Sequence, residues 1–235
     1  MSGRLCTRWL LEQYQFPFTS ITDADVRAGN LRLKYDAIIL PSAASDHLIA
    51  GHPSGSVPPE YVGGLSEEGV EALKTFVRAG GTLICLDQAG SLAIEAFALP
   101  IQDVAHIEDS KFYCPGSLLR VELDPSQPLA FGMNPHAAGF FAFSSAYEPT
   151  GSPRSTDGRG DDFPPGSIQT IARYGNNDLL LSGWLEGGEV IAGRSAVVHA
   201  GVGMGHVILL GFPVQHRAQS YATFRLLFNA ILTAK

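Results

Sequence analysis

The sequence predicts an α/β fold carrying an antiparallel β extension, and three observations lead there. Residues 82–86, Thr-Leu-Ile-Cys-Leu, form a short apolar run between a helix that stops at Gly80-Gly81 and a turn, Asp87 to Ser91, that opens the next helix. Such a run suits a strand covered on both faces. Residues 35–41, Tyr-Asp-Ala-Ile-Ile-Leu-Pro, repeat the pattern: an apolar, β-branched run stopped by proline. After Phe97 the texture changes to short apolar segments at close spacing, punctuated by Pro and Gly, as antiparallel strands require.

Taken in order, residues 7–14 have helical spacing, with Trp9, Leu10 and Tyr14 on one face. Residues 16–21 read as a strand. Residues 23–27 read as a short helix capped by Thr22 or Asp23 and ended by Gly29. Residues 42–65 are rich in Gly, Pro, Ser and Ala and lack a strong pattern, so they read as a long functional loop. Ser66 is expected to cap the next helix, with Glu67 and Glu68 at the positive end of its dipole. That helix ends at Gly80-Gly81, since glycine takes the positive φ of a C-cap. A helix over 92–97 follows the turn. Strands are then expected at 102–105, 118–123, 140–143 and 168–174, with a flexible excursion at 152–166. Order resumes at 179–184. Residues 196–199 and 206–210 flank Gly201-Val202-Gly203-Met204-Gly205 as a hairpin. A helix over 221–232, with Phe224, Leu227, Phe228 and Ile231 on one face, closes the chain.

The chain has 235 residues, 45% of them hydrophobic, enough for one domain with a large core. The expected division is a single domain, 1–235, with an αβα core from 1–97 and 179–235 and a β-rich insert at 98–178. A net charge of −7 with no basic cluster argues against nucleic acid. No apolar run approaches the roughly 18 residues of a membrane span, and no signal segment opens at Met1. Cys6, Cys85 and Cys114 form no CxxC pair and suggest neither disulfide nor zinc site. No cofactor and no metal are expected. The segment Gly201-x-Gly203-x-Gly205 precedes a strand rather than a helix, so it is not a phosphate loop.

Several segments together carry a resemblance: 10–14 (Leu-Leu-Glu-Gln-Tyr), 22–31 (Thr-Asp-Ala-Asp-Val-Arg-Ala-Gly-Asn-Leu), 58–61 (Pro-Pro-Glu-Tyr), 112–117 (Phe-Tyr-Cys-Pro-Gly-Ser) and 211–219 (Gly-Phe-Pro-Val-Gln-His-Arg-Ala-Gln). The chain resembles the class I glutamine amidotransferase-like domain at the C-terminus of bacterial zinc carboxypeptidase-like proteins. The resemblance implies a flavodoxin-like, three-layer αβα sandwich. A related domain trimerises some β-galactosidases, which implies a homo-oligomer or a partner peptidase domain. The resembled parents are exported, while this sequence alone leaves the compartment open. Two departures stand out. The strand that precedes the first helix in the family is missing, and in this topology it lies at the sheet centre, so its absence should cost core area or require a replacement. The peptidase domain and its zinc ligands are absent too, and no HxxE or HExxH motif occurs.

A working amidotransferase needs a cysteine on a strained strand-to-helix turn and a histidine backed by a carboxylate. Cys85 falls two residues too early, inside the strand, and Gln88 or Ala89 is expected at the elbow. His216 follows the last strand, where a general base or binding residue would stand, with Arg217 beside it to bind a carboxylate. Ser117 and Cys114, at the Pro115-Gly116 turn, are the alternative nucleophiles, with Ser91 a third. Asp87 is expected to cap the following helix or to orient His216. Asp87, Gln88, Ser91 and Arg217 are the ligand-binding candidates at the sheet's carboxyl edge. The leading expectation is a catalytically degenerate domain serving structure, assembly or ligand binding. The alternatives are a small esterase or amidase using His216 with Ser117, Cys114 or Ser91, and a binder that uses residues 42–65 as a lid.

Overall fold

The computed structural model describes residues 3–106, 112–150 and 167–234; the excursion expected at 152–166 lies outside them. The chain opens with helix α1, Gly3–Gln13. The strand expected at 16–21 does not form: these residues have no regular secondary structure and join no ladder among the described residues. Helix α2, Asp23–Arg27, has the predicted cap, completed as a box: Thr22 Oγ1 accepts from the Asp25 amide and Asp25 Oδ2 accepts from the Thr22 amide. Strand β1, Ala37–Leu40, follows.

The long loop is more built than its composition suggests. It holds helix α3, Ser45–Ala50, and a 3₁₀ turn at Pro59–Tyr61, and a backbone exchange between His52 and Gly63 closes it. Helix α4, Ser66–Arg78, is not capped by Ser66, whose hydroxyl instead contacts the Glu68 carboxylate. The helix stops where Gly80 turns to φ +97°. Strand β2, Thr82–Leu86, is buried along its whole length. A 3₁₀ turn, Asp87–Ala89, leads into helix α5, Gly90–Ala96.

Strands β3 (Ile101–Asp103), β4 (Ser117–Leu123), β5 (His136–Phe141), β6 (Tyr147–Pro149), β7 (Ile168–Tyr174), β8 (Leu180–Ser182), β9 (Ser195–Val202) and β10 (Gly205–Leu210) follow, then helix α6, Phe224–Leu232. The strand expected at 140–143 lies further toward the N-terminus, because the β4 ladder runs from Ser117–Phe141 to Glu122–His136. The expected hairpin is β9–β10, paired from Gly205–Val202 to Leu210–Val197.

The sheet is continuous and mixed, in the order β1-β2-β10-β9-β7-β4-β5. Among the described residues, β1, β2 and β10 pair in parallel and every pairing beyond β10 is antiparallel. The strands between residues 98 and 178 thus extend the same sheet that the parallel strands begin. Side chains alternate across β2: Ile84 and Leu86 join an apolar cluster with Leu10 of α1 and Phe224 and Leu227 of α6. Leu83 and Cys85 join a second cluster with Val26 of α2, Phe76 and Val77 of α4, and Leu92 of α5. Helices therefore contribute apolar faces to both clusters, and the carboxyl ends of β1, β2 and β10 open onto one edge.

Candidate functional site at the carboxyl edge

The strand-to-helix turn after β2 decides this edge. Leu86 is still extended at φ −92° and ψ 124°, and the next residue, Asp87, turns to φ +52°. A left-handed φ is uncommon outside glycine, and aspartate is among the side chains that tolerate it best. The expectation of Gln88 or Ala89 at the elbow is therefore corrected by one or two positions: the reversing residue carries a carboxylate. Cys85 lies inside β2, fully buried, and burial raises its thiol pKa. The inert reading of this cysteine matches that placement.

The Asp87 side chain is only 6% exposed. Burial pushes its pKa up to about 6, against the opposing pull of the Ser42 and Ser144 hydroxyls, the nearby His106 and the Gln88 amide. Ser42, two residues past β1, donates to Asp87 Oδ2 at 2.8 Å. The other oxygen, Oδ1, is buried and has no hydrogen-bond partner among the described residues. The Tyr147 hydroxyl is in the same position: buried, unpartnered, and packed so closely on Gly90 that a Cβ there would fall 2.3 Å from it. An unmatched acceptor and an unmatched hydroxyl thus border one turn. The next polar group out is His106, whose Nδ1 lies 2.9 Å from Asp103 Oδ2. That bond, against partial desolvation, holds the His106 pKa above its ordinary value. Asp103 Oδ1 meanwhile accepts from the amides of Ala105 and Ala146, fixing the carboxylate that faces the ring.

The other predicted residues are dispersed. Ser91 Oγ donates to the Gln88 carbonyl at 2.8 Å, inside the turn. Ser117 is 3% exposed; its hydroxyl donates to the Trp184 carbonyl at 2.7 Å and accepts from the Trp184 amide at 2.9 Å. This pair of hydrogen bonds clamps β4 to the segment after β8 and engages the oxygen a nucleophile would need. Cys114 is buried beside it, and burial raises its pKa. His216 stacks on Phe140, ring centroids 3.7 Å apart and planes 20° apart. Desolvation and the charge of Arg217 lower its pKa. Arg217 itself is exposed, at φ +49°. No hydrogen bond among the described residues joins His216 to Asp87, Ser91, Cys114 or Ser117. The expectation that Asp87 orients His216 is corrected: the imidazole near Asp87 is that of His106.

Sequence reasoning gives no signal for His106, Asp103, Ser42 or Tyr147 at this edge. Asp103 and His106 sit in a strand and bend joined to β6, and β6 carries Tyr147. Nothing in their spacing shows that antiparallel pairing brings them to the end of β2. Ser144 and Ser145 follow an apolar run in the sequence without a GxSxG pattern, and both are buried. Among the described residues no group of three metal-ligating side chains converges.

The fold and this edge together define a mixed α/β protein with a buried acid at its strand-to-helix turn. A scan against protein-family models found no match, and a search of curated proteins found none either. Solved structures do match. A cytoplasmic protein of Salmonella typhimurium, STM3548, superposes with a TM-score of 0.58 at 11% identity, over 99% of this chain and 87% of that one. A second Salmonella typhimurium cytoplasmic protein, STM1381, gives 0.49 at 11% identity, covering 92% and 76%. A ThuA-like protein of Bacteroides uniformis gives 0.46 at 12%, covering 90% and 71%. The first of these likenesses establishes a shared α/β architecture.

Proposed function

We propose that this chain is an amidotransferase-like domain that binds a small polar ligand without hydrolysing it. One observation carries the reading: the residue at the reversing elbow is Asp87, with an unpartnered buried oxygen, where a hydrolase of this architecture would present a thiol or hydroxyl. Leaving a buried polar atom unmatched costs about 1–3 kcal/mol. A ligand that offers an N–H or O–H donor to Asp87 Oδ1 and an acceptor to the Tyr147 hydroxyl recovers that cost at both groups. The expected nucleophiles do not favour the esterase or amidase reading, since Ser117 is held by Trp184 and Cys114 is buried. An assembly role, alone or with a peptidase domain, is compatible with ligand binding and rests on the family resemblance.

The test is a thermal-shift screen of sugars, polyols, amides and amino acids, run beside turnover assays on glutamine and short-chain esters. A saturable shift that disappears in Asp87→Ala, with no turnover by either protein, is the expected result. Hydrolysis that disappears with Asp87 would make the chain an enzyme and defeat the proposal.

A further inference from the structure

Three aromatic rings stand open to solvent beside one another. Tyr113, Phe143 and Trp184 are 48%, 52% and 62% exposed. An aromatic ring stabilises a fold through the surface it removes from water, so rings left this open contribute little. Scattered singly they would need no account, but these are neighbours. The Tyr113 and Phe143 rings lie 5.9 Å apart with their planes at 71°. Tyr113 and Glu186 exchange both backbone hydrogen bonds, at 3.1 and 3.0 Å, in an antiparallel bridge. Such a pair sets its two side chains side by side on one face. The Trp184 indole N–H in turn donates to Glu186 Oε1 at 3.0 Å. Phe143, Tyr113, Glu186 and Trp184 therefore form one contiguous row.

The row is held in place before any ligand arrives. Phe143 sits at φ +51°, and a bulky side chain in the left-handed region is an outlier. Strain of this kind persists only where the surroundings fix it, and it gathers at ligand clamps. Here the Phe143 amide donates to the Cys114 carbonyl at 3.1 Å, and its own carbonyl accepts from His106. The backbone of Trp184 is fixed through both its amide and its carbonyl by the Ser117 hydroxyl. Rings fixed in advance lose little freedom on binding. Glu186 is exposed, and among the described residues no basic side chain pairs with it.

We infer that this row binds a quaternary or methylated ammonium group. The face of an aromatic ring attracts a cation through its quadrupole. Two ring planes meeting at 71° make a corner in which a trimethylammonium group faces both, and Glu186 beside Tyr113 supplies the counter-charge. A neutral ligand seated there would take water from the carboxylate and return nothing. A primary ammonium is a compact, strongly hydrated charge with three donors, and ring faces offer it poor acceptors. A methylated one spreads its charge over apolar groups that the rings can cover. The net charge of −7 also favours a cation. The inference uses no atom of Asp87 and stands apart from the ligand reading at that turn.

The probe is choline chloride, titrated into the full chain at constant ionic strength while the Trp184 indole N–H is followed by NMR. Saturable binding is expected, half complete at about 1–10 mM. The neutral isostere of choline, with carbon in place of nitrogen, should bind at least about tenfold more weakly. Glu186→Gln should weaken choline about tenfold, and Asp87→Ala should leave its affinity unchanged. Phe143→Gly should weaken it similarly without lowering the melting temperature, because glycine adopts the left-handed φ freely. Phosphatidylcholine vesicles carry the same group: cosedimentation with them, and not with phosphatidylglycerol vesicles, would make a lipid headgroup the source, and binding of choline alone would make it a free amine. The inference is overturned if neither choline at about 50 mM nor phosphatidylcholine vesicles bind, if the neutral isostere binds equally, or if Glu186→Gln changes nothing. It is also overturned if choline binds only once Lys111, Arg154 and Arg159, which lie outside the described residues, are all replaced by glutamine, since the row would then belong to a cation of the chain itself.

Discussion

Replacing Asp87 by asparagine should stabilise this protein, and the pH at which it does so tests the site. The ordinary aspartate pKa is 3.8, and burial lifts that of Asp87 to about 6. A carboxyl whose pKa is raised on folding binds its proton more tightly in the folded state. Its contribution to stability is full below pH 3.8 and is lost as pH rises through 6. At about 1.36 kcal/mol per pKa unit, ionised Asp87 costs the fold about 3 kcal/mol above pH 7. Asparagine has nearly the same shape and never ionises. Its carbonyl oxygen still accepts from the Ser42 hydroxyl, though less strongly than a carboxylate does. The net gain at pH 8 should be about 2 kcal/mol. In a chain of this length that raises the melting temperature by roughly 4–8 °C. At pH 4, where the wild-type carboxyl is already protonated in the fold, the difference should nearly vanish. Thermal and urea melts of both proteins at pH 4, 6 and 8 give the comparison. A variant no more stable than wild type at pH 8, or a gain equal at pH 4 and 8, would show that Asp87 is not held in a desolvating pocket.

Two other substitutions probe the groups around the edge. Ser117→Ala removes both bonds to Trp184 and should cost about 1–2 kcal/mol in urea unfolding without altering ligand binding at Asp87; an unchanged midpoint would mean the clamp is not structural. His199 lies 3.0 Å from His206, and desolvation and that neighbour lower its pKa to about 4. Its share of stability is present above pH 6.5 and lost as pH falls through 4. His199→Gln should therefore flatten the acid limb of the stability profile by about 2 kcal/mol, after allowance for partial solvent screening, and an unaltered limb would place the acid sensitivity elsewhere.

The parallel half of the fold was legible because its signals are local. The run 82–86 is apolar, follows a Gly80 whose positive φ ends the preceding helix, and needs no knowledge of its partners to be read as a strand. The Thr22 cap is local as well. Legibility failed where the deciding interaction is distant in sequence. Residues 16–21 have the composition of a strand, but strandhood is a property of pairs, and no described residue pairs with them in a ladder. Residues 42–65 lack periodicity, yet the exchange between His52 and Gly63 folds them into a closed unit. The expected elbow, Gln88 or Ala89, lies one or two residues past the observed one. The backbone reverses at the first residue past β2 able to adopt a left-handed φ, and that residue is Asp87. The His106–Asp103 pair reaches the site only through the β3–β6 ladder, a contact that neither stretch announces.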